Sequence, residues 1–347
     1  MNSFFIEFRD PLFSIITFFL IIFIISFFSY WYGKYKRRED AKYLDEFLRQ
    51  FRTLPSKDEL QVLISSGELS EKSWLLLANA YAKNGDYEKS IEIYNELLKI
   101  ESENRRETMF LLGKTYFKAG FLERSKQIFL SILKTNPRTP QALNYLLLVY
   151  EHMKDFKAAQ EVLEPLDELN KDIELDSNYL KCLALLSDVT IDQEEKVEIL
   201  LCEYKRHHQL AHMIYEYLFR VNPALAWEHF DSSKSEYLSD ILWNLDLKDL
   251  NLDIIANNGY LSELYSAKGY VSFSQGSSIF EFDILIKLQG KSNATLSFEY
   301  ICDNCKVVYP FVFNRCSSCH AIDTAKVEWR LTKDFYKDFS EENNSFQ

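Results

Sequence analysis

Four cysteines near the C-terminal end of the chain have the spacing that binding of a metal ion requires. They form two C-x-x-C pairs separated by ten residues, Cys302 with Cys305 and Cys316 with Cys319. Each pair can fold into a tight turn that points both sulfurs at one ion, and two such turns complete a tetrahedron. Four thiolates leave no open coordination position, so the spacing predicts one structural metal ion, iron or zinc. Four free surface thiols are the alternative.

The segments around these cysteines set the limits of the module that holds them. "TLSFEYIC" alternates apolar and polar residues, a pattern that predicts a β-strand leading into Cys302. We place the metal-binding domain at 299–330 and a flexible tail at 331–347. Residues 251–298 are left as a poorly assigned connection, because "SIFEFDILIKLQGKSNATLSFEY" suits strand as well as helix.

Other residues are weaker candidates for a catalytic or metal-binding role. "HQLAH" predicts His208 and His212 on one helix face, as in zinc hydrolases, but Gln209 stands where the general base would be. A solvated or partly buried helix face is the favoured interpretation, and "EYKRHH" is interpreted as a surface feature. Cys182 and Cys202 are predicted to be small buried hydrophobic residues. Phosphate-binding glycine loops, nucleophile elbows and dinucleotide fingerprints are absent from the sequence, so no enzyme activity is expected.

Three repeated stretches in the middle of the chain are expected to form the scaffold that positions the cysteine module. Tyr81, Tyr116 and Tyr150 recur at spacings of 35 and 34 residues, each followed by a small residue nine positions later and a large one thirteen positions later. The pattern resembles the tetratricopeptide repeat, a helix–turn–helix whose small residues allow two helices to cross closely. We predict a mainly α fold, with repeats at 71–250 that are clear at 71–171, stacked into a solenoid. The other members of the pattern are Ser90, Ser125 and Ala159 at the small position, Tyr94, Phe129 and Leu163 at the large position, and Ala78, Gly113 and Leu147 three residues before each tyrosine.

An apolar stretch lies near the beginning of the sequence. Residues 11–33 carry no charge, and 23 helical residues span roughly 34 Å, enough to cross a bilayer. Lysines and arginines crowd the C-terminal flank, which predicts a single-pass anchor at 1–33 with its N-terminus periplasmic and 34–347 cytoplasmic. A buried core helix is the alternative, and a cleaved signal peptide lacks the basic start and the small-residue site. Residues 34–70 are predicted to form juxtamembrane helices.

Charge and composition limit the classes of partner. Forty basic residues against 52 acidic ones give a net charge of −12, which disfavours binding to phosphate backbones. The cysteine module is not basic either, so a zinc-ribbon that binds nucleic acid is not expected. Metal-ligand spacing indicates a reducing compartment, in agreement with the predicted cytoplasmic position.

Two stretches carry a resemblance to a known family. Leu111–Leu166 and "YICDNCKVVYPFVFNRCSSCHAIDT" (Tyr300–Thr324) resemble the lipopolysaccharide assembly protein B family of Gram-negative bacteria, whose members combine an anchor, repeats and a rubredoxin-type metal domain. The resemblance implies that Cys302, Cys305, Cys316 and Cys319 are the ligands. The family has glycine after the second cysteine, where this chain has Lys306, and proline after the third, where it has Ser317. Since glycine there tolerates positive φ, Lys306 should cost on the order of 1 kcal/mol.

The resemblance also implies a role. Family members sit in the inner membrane with a membrane-anchored AAA+ protease and other lipopolysaccharide assembly proteins. They promote degradation of the deacetylase that commits precursor to lipid A. Asn79, Lys83, Lys114 and Lys118, beside the recurring tyrosines, are the candidate partner-binding groove, although these lysines suit a merely solvated helix face equally well.

Two other functions and one question of assembly stay open. A rubredoxin-like redox protein is one alternative, which a colourless zinc form would exclude. A generic repeat scaffold for another membrane assembly is the second. The sequence also leaves open whether the chain forms a homodimer.

Overall fold

The structure is a computed structural model. It describes residues 57–66, 70–100, 104–289 and 293–333, together with six separate positions at Phe18, Leu20, Phe23, Ile24, Phe27 and Trp31. The chain divides into two compact units, one up to Asp155 and the other from Phe156 onward.

The first unit consists of antiparallel helix pairs. After helix α1 (Lys57–Ser66) come α2 (Glu71–Asn84) and α3 (Tyr87–Leu97), then α4 (Arg105–Lys118) and α5 (Leu122–Thr135), and finally α6 (Pro140–His152). Gly85 follows α2 with a φ of 89°, so it ends that helix in the left-handed conformation as its sequence predicts. Pro137 lies just past α5, where its ring interrupts no helix.

The small and large positions of the repeats are buried as the pattern requires. Ser90, Ser125 and Ala159 are fully buried, and Tyr94, Phe129 and Leu163 are buried as well. Gly113 on α4 crosses α5 so closely that the Ser125 hydroxyl donates to the Gly113 carbonyl over 2.9 Å. The close approach of these helices therefore depends on a residue without a side chain.

Replacing Gly113 with alanine is expected to destabilise the repeats. A Cβ atom there would lie 2.9 Å from the ring of Phe129 and 3.1 Å from Ile128, so these buried side chains or the helices themselves must shift. Overpacking of this kind costs about 1–3 kcal/mol. Chemical denaturation followed by circular dichroism measures the loss. Gly259→Ala is the matched control, since a Cβ at Gly259 meets nothing within 4 Å, and an equal loss in both variants would contradict the tight crossing.

The second unit begins with further helices and ends in a small sheet. Its helices are α7 (Phe156–Glu168), α8 (Glu174–Ser187), α9 (Gln193–His207), α10 (Ala211–Val221), α11 (Pro223–Glu228), α12 (Ser239–Asn244), α13 (Leu252–Asn257), α14 (Gly259–Lys268) and α15 (Phe280–Leu288). Two short 3₁₀ turns, Ser232–Lys234 and Leu247–Asp249, flank α12. The region that could not be assigned from the sequence thus contains three helices up to Leu288, with a non-helical stretch at 269–279.

The sheet has three antiparallel strands in the order β2-β1-β3. They are β1 (Ala294–Cys302), β2 (Val308–Tyr309) and β3 (Ala325–Lys333). Cys302 lies opposite Ala325 and Ala294 opposite Lys333. The alternating pattern that predicted a strand leading into Cys302 is confirmed, and the sheet extends past both ends of the 299–330 segment.

The sheet shares one hydrophobic core with the helices of its unit. Leu296 of β1 and Ile322 are buried in the same cluster as α9, α10 and α14. Trp329 of β3 stacks on Phe282 of α15, with ring centroids 5.6 Å apart. Burial of apolar surface in this shared core stabilises both elements together, so the sheet is part of the unit.

Most of the predicted anchor lies outside the described residues. The six described positions between Phe18 and Trp31 are helical and exposed. Among the residues that the structure describes, no helix combines the length and the apolar character needed to cross a bilayer. The predicted juxtamembrane helices at 34–70 are described only from Lys57, where α1 begins.

The structure corrects two predictions. His208 and His212 do not share a helix, because α9 ends at His207 and the backbone of His208 and Leu210 is left-handed, with φ of 51° and 58°. His212 opens the next helix and is buried, so it is not on a solvated face. Cys182 is buried as expected, and burial raises its thiol pKa to about 11, whereas Cys202 is exposed.

Candidate functional site

The four predicted cysteines converge on one point. All four Sγ atoms lie within 4.8 Å of one another. Cys302 and Cys319 are 3.6 Å apart, and Cys305 and Cys316 are 3.7 Å apart. Thiolates at about 2.3 Å from a tetrahedral zinc ion are separated by about 3.8 Å, so the four sulfurs are close enough together to bind one metal ion. These distances are far longer than the sulfur–sulfur bond of a disulfide, and all four are free cysteines.

The backbone of both C-x-x-C turns is the same. The amide of Lys306 donates to the Cys302 carbonyl over 2.7 Å, and the amide of His320 donates to the Cys316 carbonyl over 2.8 Å. Both Lys306 and His320 have a left-handed backbone, with φ of 61° and 63°. The positive φ expected at Lys306 is confirmed. The positive φ at His320 was missed, although its equivalent position in the second pair could have revealed it.

Hydrogen bonds to sulfur prepare two of the four thiols for metal. Burial by itself would raise the pKa of Cys302, but the Thr324 hydroxyl and two backbone amides of the turn outweigh it and lower that pKa to about 6. The same balance lowers the pKa of Cys316, where the Tyr309 hydroxyl lies 3.3 Å from the sulfur. Since thiolates are the metal-binding form, these hydrogen bonds favour the state that a cation requires at Cys302 and Cys316. A hydrogen bond from the Val307 amide would lower the pKa of Cys305, but burial and the neighbouring thiols outweigh it and raise that pKa to about 11.

Relieving the strain at Lys306 should tighten the site. We expect Lys306→Gly to stabilise the metal-loaded module by on the order of 1 kcal/mol, because glycine adopts positive φ without a Cβ penalty. The substitution also removes an exposed ion pair, Lys306 Nζ to Asp303 Oδ1 at 2.6 Å, whose contribution is small. The measurement is the chelator concentration that removes half of the metal. Lys306→Ala removes the ion pair but keeps the strain, and a glycine variant no better than the alanine variant would refute the account.

Two side chains next to the cysteines connect the module to the helices of its unit. The Arg315 guanidinium donates to Asp176 of α8 over 2.9 Å and lies 5.1 Å from the ring of Tyr179. The Asp323 carboxylate accepts from the Leu210 amide at 3.0 Å and from the Tyr237 hydroxyl at 2.9 Å. Neither residue was singled out from the sequence, since their partners lie more than 80 positions away.

The residues predicted to bind a partner lie on the first helices of two successive repeats. Asn79 and Lys83 are on α2, and Lys114 and Lys118 are on α4, each pair one helical turn apart. Lys83 and Lys118 are exposed, while Asn79 and Lys114 are half-buried. We call this surface the basic groove, and it comprises these four residues and the neighbouring aromatic rings of α4 and α6.

The charges of the basic groove act on one another. Burial, followed by the positive charges of Lys114 and Lys83, lowers the pKa of Lys118. The Lys114 ammonium lies 5.7 Å from the centroid of the Tyr145 ring, and Phe117 contacts both Tyr145 and His152 edge-on. Mutually repelling cations beside aromatic rings are well suited to an anionic side chain, whose arrival would relieve the repulsion.

Comparison with known proteins identifies one of the repeats. The profile of the tetratricopeptide repeat matches residues 71–104. Among similar solved structures is MamA, from residue 41 onward, of Desulfovibrio magneticus RS-1, at 21% identity over 49% of this chain and 95% of that one, with a TM-score of 0.37. Another is a tetratricopeptide repeat protein of Parabacteroides merdae ATCC 43184, at 14% identity over 72% of this chain and 97% of that one, with a TM-score of 0.40. No curated protein matches the sequence.

Proposed function

We propose that this tetratricopeptide-repeat protein, with its metal-binding cysteine cluster, is a non-catalytic adaptor that holds an acidic segment of a partner protein in the basic groove. The observation that carries the proposal is the position of Lys83 on α2 and of Lys114 and Lys118 on α4, the first helices of two successive repeats. In agreement with it, burial and then the charges of Lys114 and Lys83 lower the pKa of Lys118. The chain as a whole has a net charge of −12, so this cluster runs against its overall charge. Local charge of this kind favours encounter with a partner of opposite sign.

The geometry of the cysteine cluster supports a structural role for its metal. Four sulfurs occupy all four positions of a tetrahedral ion, which leaves none for a substrate or an activated water. Cys302 and Cys316 are fully buried, so the ion would be shielded on that side. The bound metal, iron or zinc, would hold the two turns together and thereby fix the sheet against α8 and α10.

The partner and the process follow from the family resemblance rather than from the fold. Since Leu111–Leu166 and Tyr300–Thr324 resemble the lipopolysaccharide assembly protein B family, we propose that the chain regulates lipid A synthesis at the bacterial inner membrane. In this proposal it brings the committed-step deacetylase to a membrane-anchored AAA+ protease, alongside other lipopolysaccharide assembly proteins. The anchor at 1–33 would keep the adaptor and the protease in one membrane.

Removing the anchor tests this proposal. We expect residues 34–347, expressed in cells that lack the full chain, to leave the deacetylase half-life long, because tethering raises the effective concentration of protease and adaptor by roughly 100-fold or more. The full chain should shorten that half-life, and an unrelated membrane helix fused to 34–347 should restore the effect. Normal turnover with the untethered fragment would contradict the tethering.

A further inference from the structure

Side-chain hydroxyl groups lie against part of the cysteine cluster. The Thr324 hydroxyl is 3.3 Å from the Cys302 sulfur, and the Tyr309 hydroxyl is 3.3 Å from the Cys316 sulfur. Cys302 and Cys316 are the two buried members of the cluster, whereas Cys305 and Cys319 are partly exposed. Each buried sulfur therefore has one hydroxyl group beside it.

The direction of these hydrogen bonds follows from the charge of a metal ligand. A sulfur that binds a metal ion is a thiolate, which carries no hydrogen and can only accept. In the metal-loaded chain each hydroxyl group must therefore donate to its sulfur. Such a bond draws electron density away from a ligand that shares one cation with three other negatively charged sulfurs.

A third hydroxyl group determines where the hydrogen of Tyr309 is placed. The Ser317 hydroxyl donates to the Tyr309 oxygen over 3.2 Å, so that the tyrosine keeps its own hydrogen for the Cys316 sulfur. Hydrogen bonds in such a chain polarise one another, and donation by Ser317 therefore strengthens donation by Tyr309. Ser317 stands where the family that this chain resembles has proline, which has no hydroxyl group.

The tyrosine ring is held in place by the sheet and by an aromatic neighbour. Tyr309 is the last residue of β2 and lies opposite Tyr300 of β1. Its ring contacts the ring of Phe313 edge-on, with centroids 4.8 Å apart. Ser317 lies within the second C-x-x-C turn, which a backbone hydrogen bond closes. Backbone pairing and ring packing thus hold both residues beside the Cys316 sulfur.

We propose that Ser317 and Tyr309 form a hydroxyl relay that donates a hydrogen bond to the Cys316 thiolate, strengthens metal binding and reduces the electron density on that sulfur. Both are positioning residues, since neither binds the ion itself. Groups that hydrogen-bond to a metal ligand contribute about 10–100-fold to metal affinity. Hydrogen bonds to sulfur also influence the electronic state of a thiolate-bound metal. Because the relay acts on the ligand, it serves zinc and iron alike.

Cobalt(II) bound to the full chain is the probe that tests the relay. It accepts the same kind of tetrahedral sulfur site, and its sulfur-to-cobalt charge-transfer absorption reports the electron density on the sulfurs. Tyr309→Phe keeps the ring against Phe313 and removes only the hydroxyl group. We expect the dissociation constant for cobalt to rise about 10-fold or more. The absorption should move to longer wavelength, since a more electron-rich sulfur needs less energy to transfer charge.

The serine is tested by two substitutions of its own and by a neighbouring control. Ser317→Ala should shift the affinity and the absorption in the same direction as Tyr309→Phe but by less, because the tyrosine hydroxyl remains. Ser317→Thr keeps a hydroxyl group and should behave as the unaltered chain does. Ser318→Ala is the matched control, because Ser318 is exposed in the same turn and should leave both readouts unchanged.

A double-mutant cycle distinguishes a relay from two independent contacts. In chains that already carry Tyr309→Phe, Ser317→Ala should have no further effect, because the serine acts only through the tyrosine hydroxyl. The proposal is overturned if Tyr309→Phe binds and absorbs as the unaltered chain does, or if Ser317→Ala keeps its full effect in the absence of that hydroxyl. Should Tyr309→Phe bind no cobalt at all, equal absorption of Ser317→Ala and Ser317→Thr would overturn the proposal instead. The test involves no partner protein, so its failure would not affect the adaptor function.

Discussion

Replacing Cys316 with serine is expected to abolish metal binding and to unfold the sheet module. Cys316 is fully buried and its sulfur lies 3.7 Å from that of Cys305, so a hydroxyl there leaves three ligands and an incomplete tetrahedron. Structural zinc sites supply on the order of 10 kcal/mol of folding free energy, which a three-stranded sheet of this size cannot replace. The loss of the metal should therefore be the largest effect of any single substitution considered for this chain.

The damage should spread through the second unit but not into the first. Leu296 and Ile322 belong to the same core as α9 and α10, and Asp323 holds the Leu210 amide and the Tyr237 hydroxyl. Unfolding the module uncovers that core and leaves those groups unpaired. The helix pairs of the first unit have a separate core, around Trp74 and Tyr94, and should keep their helicity.

Metal content and hydrogen exchange provide the measurements. We expect Cys316→Ser to contain no bound metal and to lose protection across residues 294–333, and a chelator should do the same to the unaltered chain. Cys202→Ser is the matched control, because Cys202 is exposed and lies outside the cysteine cluster. Full protection of 294–333 in the metal-free variant would show that the module folds without the ion.

Local patterns allowed the repeats and the cysteine cluster to be predicted. Each set of small and large residues in the repeat predicts one helix pair. The two helices of a pair are close in sequence, as in the crossing of Gly113 and Ser125. The two C-x-x-C turns are equally local, with each closing hydrogen bond spanning four residues, from Lys306 to Cys302 and from His320 to Cys316. Features of this kind need no knowledge of the tertiary structure.

Contacts between distant segments could not be predicted in this way. The helical pattern around "HQLAH" continues without proline or glycine, so nothing in it signals the left-handed residues His208 and Leu210. The break is adopted because Leu210 and His212 are then buried, and because Asp323 accepts from the Leu210 amide 113 positions earlier in the chain. Tertiary packing thus overrides local helical propensity at this point.

The ambiguous segment before the cysteines shows the same limit. Its apolar residues fit both the helical period of about 3.6 residues and the strand period of about two. The structure divides the segment into α15 and β1. The stacking of Phe282 on Trp329 and the burial of Leu296 decide between helix and strand, and both involve residues far apart in the sequence. Short apolar runs have this ambiguity in general.

Reversing the charge of the basic groove is the second change with a large expected effect. Lys83, Lys114 and Lys118, all replaced by glutamate, would turn an attractive surface into a repulsive one for an acidic partner. Charge acts mainly on encounter rate, so we expect association to slow by about 10-fold or more. Glutamate forms helices about as well as lysine, so α2 and α4 should persist.

A second set of reversals controls for net charge. Lys72, Lys134 and Lys157 are exposed and lie outside the basic groove, and Lys134 occupies the last turn of its helix as Lys83 and Lys118 do. Replacing these three by glutamate changes the net charge of the chain by the same amount, and the change at Lys134 reproduces the loss of a cation from the last turn of a helix. Both variants should retain the helicity and the metal content of the unaltered chain.

The half-life of the deacetylase in cells that carry either triple variant tests the adaptor account most directly. The account predicts that the groove variant leaves the deacetylase long-lived, as in cells without the chain, while the control variant restores rapid turnover. Rapid turnover with the groove variant, at equal expression and with metal bound, would contradict the assignment of partner binding to Lys83, Lys114 and Lys118.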